Sequence, residues 1–144
     1  EAVDKAAYIR DVFNTLIKRD LVEKYHILEE ARMDSLTDFL MDNISSLTSP
    51  NKISEVLGKN GETVNRVTIC NYLKYLCSAF LFYRVRRYDI RGKKYLETIE
   101  KYYLSDLSFR YALLGSRNMD YGRTYKNMVT IELMRRGYEL FVYA

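Results

Sequence analysis

The side chains best suited to chemistry in this chain of 144 residues are cations and hydrogen-bond donors, not acids or nucleophiles. Arg66, Thr68, Asn71 and Lys74 fall on the face of a helical stretch opposite Ile69, Leu73 and Leu76. On a helix that enters the DNA major groove, Arg and Asn form paired hydrogen bonds to guanine and adenine edges. A second set follows closely: Arg84, Arg86, Arg91, Lys93 and Lys94, residues suited to phosphate. Between Phe82 and Lys101 seven basic residues meet three acidic ones, so this stretch holds the whole formal net charge of +4 and the remainder cancels. The charge pattern is that of one basic appendage on a balanced body.

Other chemistries have little support. Glu29 and Glu30 are adjacent and point to different helix faces, and Ser45 and Ser46 have no histidine in sequence reach, so no catalytic residues are expected. Cys70 and Cys77 lie seven residues apart on one helix, about 10 Å along its axis, too far for a disulfide. They read as small apolar residues. His26 is the only histidine and no Cys-x-x-Cys occurs, so no metal site is expected. Gly58-Lys59-Asn60-Gly61 is not a P-loop: its lysine follows the wrong glycine and no strand precedes it. No run of about 18 apolar residues exists, and the first residues lack the layout of a secretion signal. The expectation is a cytoplasmic protein with no membrane contact, its 48% hydrophobic content enough for one good core.

These residues need elements to position them. Ala2 to about Tyr25 spaces Ile9, Val12, Phe13, Leu16, Ile17 and Leu21 as an amphipathic helix, and Tyr25 to Met33 is ambiguous. Asp34 or Ser35 can cap a helix carrying Leu36, Phe39, Leu40, Ile44 and Leu47. Ser49-Pro50-Asn51 stops it and starts a short helix with Ile53, Val56 and Leu57 inward. A turn at Gly58 to Gly61 leads to the helix from Asn65 to Phe80, with Ile69, Cys70, Leu73, Leu76, Cys77 and Phe80 on its apolar face. Tyr72 and Tyr75 fall on the opposite, polar face.

Phe82 to Tyr88 and Tyr95 to Leu104 read as a hairpin around turn residues 89–94. If Tyr83 and Val85 face the core, alternation turns Arg84 and Arg86 outward. Asp106 caps a helix closed by Gly115. A last helix, from Gly122 or Arg123 to Arg136, buries Tyr125, Met128, Val129, Ile131 and Leu133, with Glu132 lacking a partner. Tyr138 to Tyr143 is a terminal strand, a candidate for self-association. The fold class expected is mainly α with a small β hairpin, a winged helix-turn-helix plus extra helices and a terminal strand.

Five runs in order carry a resemblance: Val67-Thr-Ile-Cys-Asn-Tyr-Leu73, Arg87-Tyr-Asp-Ile-Arg-Gly-Lys93, Lys101-Tyr-Tyr-Leu-Ser-Asp106, Phe109-Arg-Tyr-Ala-Leu-Leu-Gly115 and Ile131-Glu-Leu-Met-Arg-Arg-Gly-Tyr138. The chain resembles the second half of a large prokaryotic group of AAA-type P-loop ATPases, in which an ATPase part precedes a winged helix and a domain similar to restriction endonucleases. The resemblance implies a helical segment at 1–33 from the end of the ATPase part, a winged helix at 34–106 and the start of the nuclease-like domain at 107–144. It implies ATP and Mg for the parent protein, and none in this piece. The nuclease-like Asp and Glu-x-Lys are not in the chain; Lys126 replaces the acid usual before Asn127, and Ser108 a glycine. Two functions stay open: contact with double-stranded DNA, or docking on the ATPase and nuclease-like domains of the parent chain.

Overall fold

The computed structural model describes residues 4–58, 63–89, 91–92, 94–115 and 120–143. Asp4 opens helix α1 (Lys5–Ile17), its carboxylate accepting from the Ala7 N–H at 3.0 Å. The helix continues as a π-helical turn, Lys18–Glu23. The wider π turn keeps Ile17, Leu21 and Val22 all in the core, where a strict α repeat would carry one of them off the face.

Helix α2 spans Glu30–Asp42. It therefore starts a turn earlier than a cap at Asp34 or Ser35 would place it, and the Ser35 hydroxyl instead donates to the Ala31 carbonyl inside the helix. Met33 explains the difference: it extends the buried row of Leu36 and Leu40 by one turn. The helix also ends earlier than expected. Asn43 returns both its backbone and side-chain N–H to the Phe39 carbonyl, Ser45 turns at φ 64, and Leu47 leaves the helical stripe to form β1 (Leu47–Thr48).

Ser49 then caps α3 (Pro50–Leu57), with the proline in the first turn as expected. Ile53 is buried, but Val56 is exposed, because α3 meets its neighbours along one narrow stripe. Helix α4 (Arg66–Ser78) is followed by β2 (Phe82–Asp89) and β3 (Lys94–Leu104). Phe80 does not belong to the α4 apolar face. It is exposed at φ 57 beyond the helix end, in the turn that drives Leu81 and Phe82 into the core.

Asp106 caps α5 (Leu107–Leu114) and Gly115 closes it at φ 69. Asp120 caps α6 (Tyr121–Arg135), and β4 (Val142–Tyr143) ends the described chain. The molecule is mainly helical with a small sheet of order β1-β3-β2-β4. β1 and β2 flank β3 antiparallel, while β4 runs parallel to β2 at Arg87 and Tyr88.

One apolar core joins α1, the π turn, α2, α3, α4, β2 and β3, with α5 residues packed against it. The expected boundary between 33 and 34 falls inside α2. Across the other boundary α1 lies on α5, with the Phe13 and Phe109 rings 5.1 Å apart and the Arg10 guanidinium donating to the Ala112 carbonyl. Helix α6 is attached differently. Tyr125, Met128 and Val129 are exposed, against expectation, and Asn127 is its one buried side chain. That amide donates to the Leu104 carbonyl at 2.8 Å and accepts the Leu104 N–H at 2.7 Å, as a neighbouring strand would.

Candidate nucleic-acid interface

Asn65 caps α4, accepting the Val67 N–H at 2.8 Å. Ile69, Leu73 and Leu76 anchor the helix, which leaves Val67, Asn71, Lys74 and Ser78 along its open face at spacings of four, three and four. Arg66 is exposed in the first turn, beside a cleft lined by Asn51, Glu55 and Thr63. The approach to α4 is fixed by two bonds between Ser54 and Val64: the serine hydroxyl donates to the Val64 carbonyl and the Val64 N–H to the Ser54 carbonyl. Asn71 and Lys74 thus share one open face, and Arg66 is exposed at the start of the helix, on the side of α3.

Thr68 sits off that face. With Tyr72 and Tyr75 it turns toward the 25–29 turn, where the Tyr75 ring stacks on Tyr25 at 3.9 Å and 7°. Tyr72 is buried, and burial with Glu29 nearby raises its hydroxyl above the ordinary range. The two tyrosines are therefore not on the open polar face where the sequence places them. Their rings cover the turn that joins the first helix to α2.

The hairpin corrects a second expectation. In its register Phe82, Arg84 and Arg86 lie opposite Leu104, Tyr102 and Glu100. Phe82, Leu104, Tyr102 and Glu100 are all buried, so the face carrying Arg84 is inside, although Val85 on the other face is buried too. Alternation separates the two faces but here both are covered. Arg84 pairs with Glu100 at 3.7 Å, their side chains 28% and 5% exposed, and the Tyr102 hydroxyl donates to the same carboxylate. Arg84 is thus a half-buried partner of a buried acid and not the outward-facing residue that alternation predicts. Burial also pushes the adjacent Cys77 thiol up to about 11 and the Tyr102 hydroxyl far above its usual value.

Arg86 is exposed at the edge of the covered region. Between it and Arg87 the register jumps, Arg86 facing Glu100 and Arg87 facing Leu96, so a bulge in β3 re-aims the outer half of the hairpin. Arg91 is exposed at the tip. Lys93 lies outside the described residues, as does the side chain of Lys94, whose backbone begins β3.

Two grooves flank α4. One, of about 400 Å3, includes Tyr25, His26, Arg32, Thr68, Asn71 and Tyr75. The other, of about 410 Å3, lies between Cys77 and Phe80 at the helix end and Tyr83, Arg84, Arg86 and Leu140. The electrostatic contrast is α2, where Glu30, Asp34, Asp38 and Asp42 recur every four residues. Burial, then Glu30, raises the Asp34 carboxyl, and burial, then Asp34, raises that of Asp38. Phosphate is disfavoured along this ridge.

Among the described residues no group of three or more His, Cys, Asp or Glu is placed to hold a metal ion, and no helix is long and apolar enough to cross a membrane. Sequence reasoning missed the polar anchors that set these elements. Arg110 donates to the Met41 carbonyl and Arg123 to that of Asp42, so two distant arginines finish the end of α2. Glu132, expected to be unpartnered, accepts from both Arg135 and Arg136, which hold its carboxyl down at about 2.

The chain is similar to an uncharacterized protein of Haemophilus influenzae, 36% identical over 138 residues, a match covering 96% of this chain and 34% of that protein. An uncharacterized protein of Methanocaldococcus jannaschii is 27% identical over 134 residues, covering 93% of this chain and 30% of its own length. The chain thus spans about a third of the length of these relatives. No solved structure shows significant similarity to it. The profile described as Domain of unknown function (DUF8612) matches residues 1–120, and the chain belongs to that family.

Proposed function

We propose that the chain is a non-catalytic DNA-binding module of the winged-helix kind, with α4 as the recognition helix and the β2–β3 hairpin as the wing. The element order α2-β1-α3-α4-β2-β3, with β3 between β1 and β2 in the sheet, supports this reading. The observation that carries it is the accessible set Arg66, Asn71 and Lys74 on α4, followed at once by a hairpin that exposes Arg86 and Arg91. Asn71 and Arg66 read base edges; Lys74, Arg86, Arg91 and, by sequence position, Lys93 and Lys94 meet phosphate. In this reading the protein is cytoplasmic and belongs to a longer prokaryotic ATPase whose ATP and Mg bind outside this chain.

Fluorescence anisotropy with a labelled duplex across a salt series tests the reading. Affinity is expected to fall as salt rises, and replacing Arg91 and Lys93 together by alanine should lower the log-log slope by roughly 0.9 for each phosphate that the wing no longer neutralises. An unchanged affinity and slope would remove the wing from the interface.

A second reading has its own support. The exposed Tyr121, Tyr125, Met128 and Val129 of α6 form an apolar surface suited to a protein contact, and the relatives are about three times as long as this chain. Docking on another part of the parent chain then uses α6 and not the α4 face. The remainder of the parent, added in trans, would protect α6 amides from hydrogen exchange in that case, and unprotected amides there would count against it.

A further inference from the structure

We propose that the groove between the 25–29 turn and α4 receives an unpaired nucleobase, so that the preferred target is a duplex bordered by a single-stranded end. The inference rests on the DNA-binding reading and adds a base site beside the recognition helix.

The groove joins two kinds of surface that recognise a base. One is an aromatic platform, the parallel Tyr25–Tyr75 pair, with Tyr72 behind it at 6.3 Å from the Tyr75 ring. Bases of any sequence stack on such rings. The other is polar: Thr68 and Asn71 on α4, and His26 on the turn, line the same space. An amide side chain offers both a donor and an acceptor, the pairing that a base edge presents. The Arg32 and Glu29 side chains at the groove wall are paired with each other, which leaves the recognition of a base edge to Asn71, Thr68 and His26. The volume of about 400 Å3 lies within the range of small-ligand sites.

Cationic groups stand where a connected backbone would pass. Lys24 lies over the Tyr25 ring, 5.3 Å from its centre, and Lys74 is exposed one helical turn beyond Asn71. His26 turns the chain at φ 52, a conformation that a β-branched residue would resist, between Tyr25 of the platform and the rest of the turn. An uninterrupted duplex has every base stacked and paired, and leaves this groove empty.

The test compares three probes on the intact chain at one salt concentration: a blunt duplex, the same duplex with a short single-stranded extension, and that extension made of abasic sugar-phosphate. The extension is expected to tighten binding roughly five- to a hundredfold, the range of one stacked base, and the abasic probe to lose the gain. Tyr25→Leu should abolish the advantage and leave blunt-duplex affinity intact. Equal binding of blunt and extended probes overturns the base site and leaves the DNA reading standing. An advantage kept by the abasic probe also overturns it, by assigning the gain to phosphate. Failure of every probe to bind at low salt removes both proposals. The three probes decide the matter with the unaltered protein should Tyr25→Leu fail to fold.

Discussion

Asn127 shows how much one side chain carries. Its amide satisfies both backbone groups of Leu104 and so substitutes for a strand. Asn127→Ala leaves a buried donor and a buried acceptor unpaired, at about 1–3 kcal/mol for each group. Urea unfolding is expected to show a loss of about 2–6 kcal/mol, against almost none for Lys126→Ala on the exposed side; a loss below about 1 kcal/mol would mean that water replaces the amide. Nothing in the sequence marks this residue, because a lone asparagine among Tyr125, Met128 and Val129 has the pattern of a polar interruption. Cys77 makes a second case. With its thiol near 11, its thiolate is scarce at pH 8, so alkylation should be far slower there than at Cys70, as mass mapping of a timed iodoacetamide reaction would show. Equal rates would contradict the burial that produces the shift. Arg84 and Arg86 look alike in sequence and differ in fate because only the fold shows that Arg84 is half-buried and paired with Glu100 while Arg86 stays exposed.

At the scale of elements, some caps are legible in the sequence, although the one expected at Asp34 or Ser35 is not used, and the packing partners are not. Asn65, Asp106 and Gly115 mark helix ends through bonds that are local in sequence, so their residue types suffice. Periodicity, by contrast, says that a helix has an apolar side and not that something covers it. That is why it places Tyr125, Met128 and Val129 inside when the fold leaves them open. β1 is invisible for a different reason, since two residues are too few for alternation to appear.

The acid ladder on α2 gives a prediction with a definite sign. In the folded chain Asp34 keeps its proton to higher pH than the usual 3.8, so the folded state binds more protons in the window above that value and loses stability as pH rises through it. Asp34→Asn is therefore expected to stabilise at pH 7 by a few tenths of a kcal/mol, in line with like-charge pairs four residues apart. The gain should vanish in thermal melts well below pH 3.8, where Asp34 is protonated in the folded and the unfolded chain alike. A destabilised variant at pH 7 would show that the carboxylate has a favourable contact instead.

On the scale of the whole molecule, the order of elements and the place of the basic stretch are readable from residue types and spacing, whereas the depth of the hairpin is not. Of the residues expected to meet nucleic acid, the fold leaves Arg66, Asn71, Lys74, Arg86 and Arg91 exposed and half-buries Arg84 and Thr68. Charge removal should follow that division. Arg86→Ala is expected to weaken duplex binding with little change in melting temperature, while Arg84→Ala should lower the melting temperature by leaving Glu100 buried without its counter-ion. Anisotropy and calorimetry on the two variants check this, and a reversed pattern would invert the assignment.

The parallel contact of β4 with β2 carries a consequence for assembly in time. β2 and β3 meet across a short turn, whereas the pairing of Val142 with Arg87 and the Tyr88–Phe141 ring contact at 5.2 Å join residues far apart in sequence, the kind of contact expected to form late. Refolding should therefore pass through a stage in which the inner hairpin is protected and its tip is still loose. The same late latch, reopened by fluctuation, would let the tip adjust its reach without disturbing the base from which it projects.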